Sequence, residues 1–168
     1  MRQRALGMAV CCGLLLLAAC DDTETCGARC PEIADSYAVL FNSVTRQCGF
    51  TPWLLPPTLV IGQDSGADRV TLGLIDPVNQ QPVLLLGDLR VPGDPESDAV
   101  AVFHGFQRTV RQADWSQREL IELQLFFSGA ITVEDGRRRL SLTLQTQPVL
   151  GGSCTATQIV YGTGARVP

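Results

Sequence analysis

Apolar and polar residues alternate most strictly between Glu119 and Gln147. Ile121, Leu123, Leu125, Phe127, Gly129, Ile131 and Val133 share one parity, and Glu122, Gln124, Ser128, Thr132 and Glu134 the other. Phe126 is the exception. A period of two marks a strand with one buried face. Asp135-Gly136 then supplies the residue types of a two-residue type I′ turn. On the return, Leu140, Leu142 and Leu144 fall on one parity, with Ser141, Thr143 and Gln145 on the other. Such a turn pairs Glu134 with Arg137, Ile131 with Leu140 and Phe127 with Leu144, so apolar meets apolar and acid meets base. Glu134 is the expected ionic partner of Arg137. The parity does not slip at Gly129, which marks a bend in one long strand rather than a turn between two. A strand that long cannot stay flat, and bending lets a sheet curl towards a barrel.

The rest of the chain repeats this alternation in shorter pieces. Thr58–Gln63 and Arg69–Ile75 flank Asp64-Ser65-Gly66-Ala67-Asp68, a hairpin loop signal. Val83–Arg90 follows a Pro-Asn-Gln loop, Ala99–Val110 follows Pro92-Gly93-Asp94-Pro95, and Thr155–Tyr161 follows Gly151-Gly152-Ser153. Arg111–Gln117 is a polar loop holding Trp115, where Asp114 suits the start of a short helical turn. Residues 31–47 fit two patterns. Ile33, Tyr37, Leu40, Phe41 and Val44 make a helical stripe, while Val39, Phe41 and Thr45 suit a strand. A strand from about Tyr37 is favoured, because every later element is β and an open first edge would need covering. The expected fold is all-β: an antiparallel meander of about eight strands forming a small barrel or a two-sheet sandwich.

The front of the chain has a different pattern. Met1–Arg4 is basic, and Ala5–Ala18 is almost wholly apolar. That run, about fourteen residues, is short against the roughly 20 that a membrane-spanning helix needs. A basic start, a short apolar middle and small residues before a cut describe a secretory signal peptide. The run closes on Leu17-Ala18-Ala19-Cys20, which resembles the lipobox of bacterial lipoproteins at every position. The resemblance implies cleavage after Ala19 and a diacylglyceryl thioether on Cys20. It implies a membrane contact through that lipid, on the extracytoplasmic side of a Gram-negative envelope. Asp21, following the lipidated residue, favours the periplasmic face of the inner membrane, with the outer membrane as the alternative. The domain division is then a signal peptide over 1–19, a polar tether over 20–30 and one β domain over 31–168.

Composition narrows the function. The formal charge of −4 becomes −6 once Arg2 and Arg4 leave with the signal peptide. Such an acidic chain is a poor partner for nucleic acid, whose affinity comes from neutralising phosphates. Every basic residue is Arg, which excludes a lysine Schiff base or lysine general base. Past Cys20 stand Cys26, Cys30, Cys48 and Cys154. In an oxidising compartment an even number reads as disulfides, with three pairings. Cys48 ends the first strand and Cys154 begins the last, so closure by antiparallel neighbours places them at one end. That favours Cys48–Cys154 and leaves Cys26–Cys30 as a local loop. Zinc would want tighter paired spacings and histidine, so neither a metal nor a cofactor is expected.

His104 is the lone histidine. It shares strand parity with Val100, Val102 and Phe106 and is expected to point inward, making His104 and Phe106 the ligand-pocket candidates. A buried or rim histidine satisfied by backbone is the plainer alternative. No serine stands in a Gly-x-Ser-x-Gly elbow, and no catalytic residue is assigned. A hydrolase would require His104 within hydrogen-bond reach of a serine and an acid. Asp94-Pro95-Glu96-Ser97-Asp98 spaces its acids as a calcium loop does, but Ala99 and Gly105 stand where glycine and glutamate are needed. It reads as a solvated acidic turn. Arg137, Arg138 and Arg139 suit either a soluble hairpin end or contact with anionic headgroups.

The leading reading is a non-enzymatic, lipid-anchored β domain that binds a small or apolar ligand. In meander layout it is loosely similar to lipocalin-type barrels, although Pro52-Trp53 stands where their Gly-x-Trp would be. The alternative is a structural or interaction accessory of an envelope assembly. A hollow interior would favour a ligand, whereas a filled core with an exposed apolar patch would favour a surface partner.

Overall fold

The computed structural model describes residues 23–26, 30–46, 52–76, 80–94, 96–112, 120–149 and 155–167. These form strands β1 (Thr23–Thr25), β2 (Asp35–Arg46), β3 (Thr58–Gln63), β4 (Arg69–Ile75) and β5 (Pro82–Pro92). They continue with β6 (Ala99–Gln112), β7 (Leu120–Glu134), β8 (Arg137–Pro148) and β9 (Ala156–Arg166). Among the described residues there is no helix. β2 to β9 each pair with their chain neighbours, and β9 returns to β2, so eight antiparallel strands close into a small barrel rather than a sandwich.

The period-two pattern becomes inside and outside. Leu72 and Leu74 of β4, Leu85 and Leu89 of β5, and Leu140, Leu142 and Leu144 of β8 all face the axis, each at most 2% exposed. β7 and β8 pair in the register expected from the turn, including Glu134 with Arg137, Ile131 with Leu140 and Phe127 with Leu144. Asp135 and Gly136 have φ of 51° and 68°, both positive as a type I′ turn requires. One detail differs. The Glu134 carboxylate meets Arg139 at 3.0 Å rather than Arg137, because the diagonal neighbour on the same face is within reach of a long side chain.

Aromatic rings fill the axis. Phe103 pairs with Gly129 across β6 and β7, and its ring lies where a Gly129 Cβ would sit. The Phe127 ring covers Gly105 in the same way and comes within 2.9 Å of the Cβ position of Gly87. Gly129 is therefore the site of a close ring approach within one continuous strand.

Of residues 31–47, Asp35–Arg46 is strand rather than helix. A register shift between Val39 and Phe41 splits the helical stripe. Ile33 and Tyr37 are sealed at 0% exposure, while Leu40 and Phe41 stand 64% and 55% exposed.

Part of the segment expected as tether belongs to the fold. β1 runs antiparallel to the end of β5, with Thr23 opposite Pro92 and Thr25 opposite Arg90. Arg90 also pairs with Val102 of β6, so β1 continues the β4 side of β5. A Cys26–Cys30 disulfide follows. Pro31–Ala34 then straps across this end of the barrel. The Ile33 N–H donates to Gln63 Oε1 at 2.8 Å, and Gln63 Nε2 donates back to Pro31 O at 3.1 Å. Arg138 takes the inward parity of β8 and donates to Glu32 O at 2.9 Å. It also faces the Asp35 carboxylate at 3.5 Å. The Tyr37 hydroxyl donates to Ile33 O at 3.1 Å. Burial pushes the Tyr37 phenol up to about 12, with nearby Arg138 opposing the rise. At the other end, Trp53 is buried, donating Nε1 to Thr146 Oγ1 at 3.2 Å and accepting from Gln158 Nε2 at 3.0 Å. Cys48 and Cys154 lie outside the described residues.

Candidate functional site on the outer wall

The pocket candidates face outward. Ala101 and Phe103, at 0% and 1% exposure, hold the inner parity of β6, which places His104 and Phe106 on the outer wall. Both parities of this strand are apolar, so the pattern alone permits either facing. The interior takes the parity that sets Phe103 over Gly129.

Register then assembles a row that no sequence spacing reveals. Asp88 of β5 pairs with His104 of β6, His104 with Ser128 of β7, and Ser128 with Thr143 of β8. Beside it Phe106 pairs with Phe126, their ring centroids 5.1 Å apart. Leu84, Leu86, Phe106 and Phe126 are 59%, 60%, 50% and 37% exposed. A groove of about 420 Å³ runs between the polar row and this apolar ledge, lined by Asp88, His104, Phe106, Phe126, Ser128 and Thr143. A second, of about 300 Å³, lies on the far side of the same row against Val102, Ala130 and Ser141. His104 and Ser128 thus stand between two open grooves on the barrel's exterior.

Sequence reasoning reached His104 and Phe106 but missed Asp88, Ser128 and Phe126. For Phe126 the signal was present, as the single break in the alternation of its strand. For Asp88 and Ser128 there was none, because only the β5–β6–β7 register brings them beside the histidine.

Asp88, His104 and Ser128 have the residue types of a charge-relay trio, yet no hydrogen bond or ion pair joins them among the described residues. The Ser128 backbone lies within the β6–β7–β8 ladders, so its amide is not aimed at a reacting oxyanion as acyl transfer would need. The row can accept and donate hydrogen bonds, and the ledge can take up apolar surface.

Next to the ledge the barrel wall opens. The β5–β6 ladder runs over Gly87–Arg90 and Val102–Gly105 only. Among the described residues, Pro82–Leu86 pairs with β4 and with no strand on its β6 side.

Elsewhere the candidates spend their polar groups locally. Asp94 Oδ1 accepts the Glu96 N–H at 2.9 Å, and Asp94 O accepts the Ser97 N–H at 3.1 Å, a turn closed on its own backbone. Among the described residues, no group of three or more His, Cys, Asp or Glu is placed to hold a metal ion. No family model, curated protein or solved structure matches the chain.

Proposed function

We propose that this chain is a lipid-anchored envelope lipoprotein whose non-enzymatic barrel binds an apolar ligand on its outer wall rather than along its axis. The observation that carries the reading is a contrast. Tyr37, Phe103, Phe127 and Trp53 occupy the interior at 3% exposure or less, while Leu84, Leu86, Phe106 and Phe126 stand in water beside an open groove. Exposed apolar residues grouped beside a polar row are the signature of a contact site. The anchor rests on Leu17-Ala18-Ala19-Cys20, and the Cys26–Cys30 bridge accords with an oxidising compartment.

Intact-mass measurement of the mature protein tests the address, with two or three acyl chains expected on Cys20. Binding of an uncharged lipophilic dye to the purified protein tests the wall. Phe106→Ser should weaken that binding severalfold while His104→Ala alters it little. Equal binding by wild type and Phe106→Ser defeats the wall reading.

The second reading is an interaction accessory, and the open β5–β6 seam favours it. An unpaired strand edge is a template for an extended segment of a partner. A partner captured there would protect the amides of Leu84–Leu86 from exchange.

A further inference from the structure

We infer that the ligand of this wall is the bilayer holding the protein's own anchor, so that the barrel lies on its side with the β5–β6–β7 wall against the membrane. The inference rests on the lipoprotein reading and names the partner of the same site.

The argument starts from where the described chain begins. Thr23 is fixed in the ladder opposite Pro92, at the end of β5. Three residues of reach separate it from Cys20, at most ~10 Å of extended chain. The acyl chains are therefore held near one end of the very strand that carries Leu84 and Leu86. From Pro92 to Leu86 the strand runs about 20 Å at the usual rise per residue. A second exposed apolar wall, with Leu40 and Phe41 on β2 and Tyr161 on β9, lies round the far side of the barrel from β5, so a barrel tethered this closely has two ways to rest beside its anchor. It can stand on the rim bearing the anchor, or lie on the wall beside it.

Charge decides against standing. The loops and turns of that rim expose Asp64, Asp68, Asp94, Glu96, Asp98 and Asp135 against Arg69, Arg137 and Arg166, so the rim stays net acidic. Standing would press these carboxylates onto a surface made negative by anionic lipids, which repels them. The wall offers the opposite. Leu84, Leu86, Phe106 and Phe126 form its apolar ledge, and Asp88 is set opposite Arg69 in the β4–β5 register. Residues of this kind enter the boundary between headgroups and acyl chains to about 5–10 Å. The short tether raises the local concentration of bilayer so far that even a weak wall contact is populated. Anchor and ledge act as two signals on one strand.

The test uses the acylated mature protein in vesicles of phosphatidylethanolamine and phosphatidylglycerol carrying brominated acyl chains. Phe106→Trp and Tyr161→Trp each place a reporter on an outer wall, and the wild-type emission is subtracted. Tyr161 is 45% exposed on β9, across the barrel. Bromine should cut the Phe106→Trp signal about twofold, as expected for a ring at the acyl boundary, and leave Tyr161→Trp unchanged. Adding Leu84→Glu and Leu86→Glu should abolish the quenching while flotation with the vesicles persists. These two positions are exposed, so the fold tolerates the charges. Flotation without quenching at position 106, or equal quenching at both positions, overturns the inference and leaves the anchor standing. Failure to float, with no acyl mass on Cys20, defeats the lipoprotein reading itself.

Discussion

The β7–β8 and β5–β6 junctions both join antiparallel neighbours, yet they hold together by different means. β7 and β8 pair continuously from Leu123–Pro148 to Glu134–Arg137 around a two-residue turn. β5 and β6 touch as a ladder over Gly87–Arg90 and Val102–Gly105 only, where the Phe127 ring packs onto two glycines. The first junction is local: turn chemistry sets its register and the register sets its faces. The second depends on a ring delivered by a third strand. Where that ring stops, the wall opens and leaves Leu84, Leu86 and Phe106 in water. A hairpin can be specified by neighbours in sequence, whereas closing a cylinder takes packing between residues far apart in the chain.

Phe127→Ala should do the most damage, because this ring belongs to both junctions. Removing it from the core is expected to cost about 4 kcal/mol in urea unfolding. A loss under about 1 kcal/mol would mean the axis is filled by something else. Gly105→Val strikes the weaker junction most directly. Its Cβ meets the Phe127 ring and the Leu86 carbonyl, and overpacking of this kind costs up to about 3 kcal/mol. Amide exchange should accelerate in β5 and β6 while the β7–β8 hairpin stays protected; equal acceleration in both would erase the distinction between them.

Tyr37 lies on β2, outside both junctions, and calibrates them. Its phenol titrates near 10 when unfolded and about 12 when folded. The folded state thus keeps a proton that the unfolded chain has lost. Stability should be level below pH 10 and fall by roughly 2–3 kcal/mol as pH rises towards 12. Tyr37→Phe should remove that fall, whereas the Gly105→Val barrel should retain it. The smallest effect belongs to the turn. Gly136 has φ +68°, and Gly136→Val should cost about 1–2 kcal/mol through left-handed strain. That loss should fall on the β7–β8 pairing and leave the β5–β6 contact intact.

Legibility in the sequence followed the same division. The register of β7 and β8 could be read residue by residue, because a two-residue turn leaves no freedom and a slip of one would bury Ser141 and Thr143 in place of Leu140 and Leu142. The bounds of β3 and β4 were legible from the alternation on either side of the Asp64–Asp68 loop. The facing of β6 was not, since Val100, Val102 and Phe106 are as apolar as Ala101 and Phe103. The partner of Arg139 was hidden because long side chains choose diagonals that a pairing table does not contain. β1 was obscured by its composition. Three polar residues carry no strand signal, and only the exposed end of β5 gives them a ladder to join. The Asp88–His104–Ser128 row exists by virtue of a register fixed through glycines and rings on separate strands.

The pairing of β2 with β9 has a temporal consequence. Ala38 meets Thr163 and Arg46 meets Ala156, so the cylinder cannot be sealed until β9 is available to β2. Contacts of such wide sequence separation form late and slowly. Until then the β2 edge that β9 covers, with Leu40 and Phe41 alongside, is open. Refolding from denaturant should therefore be slow, and its yield should fall as protein concentration rises, because chains can associate through that edge before it closes.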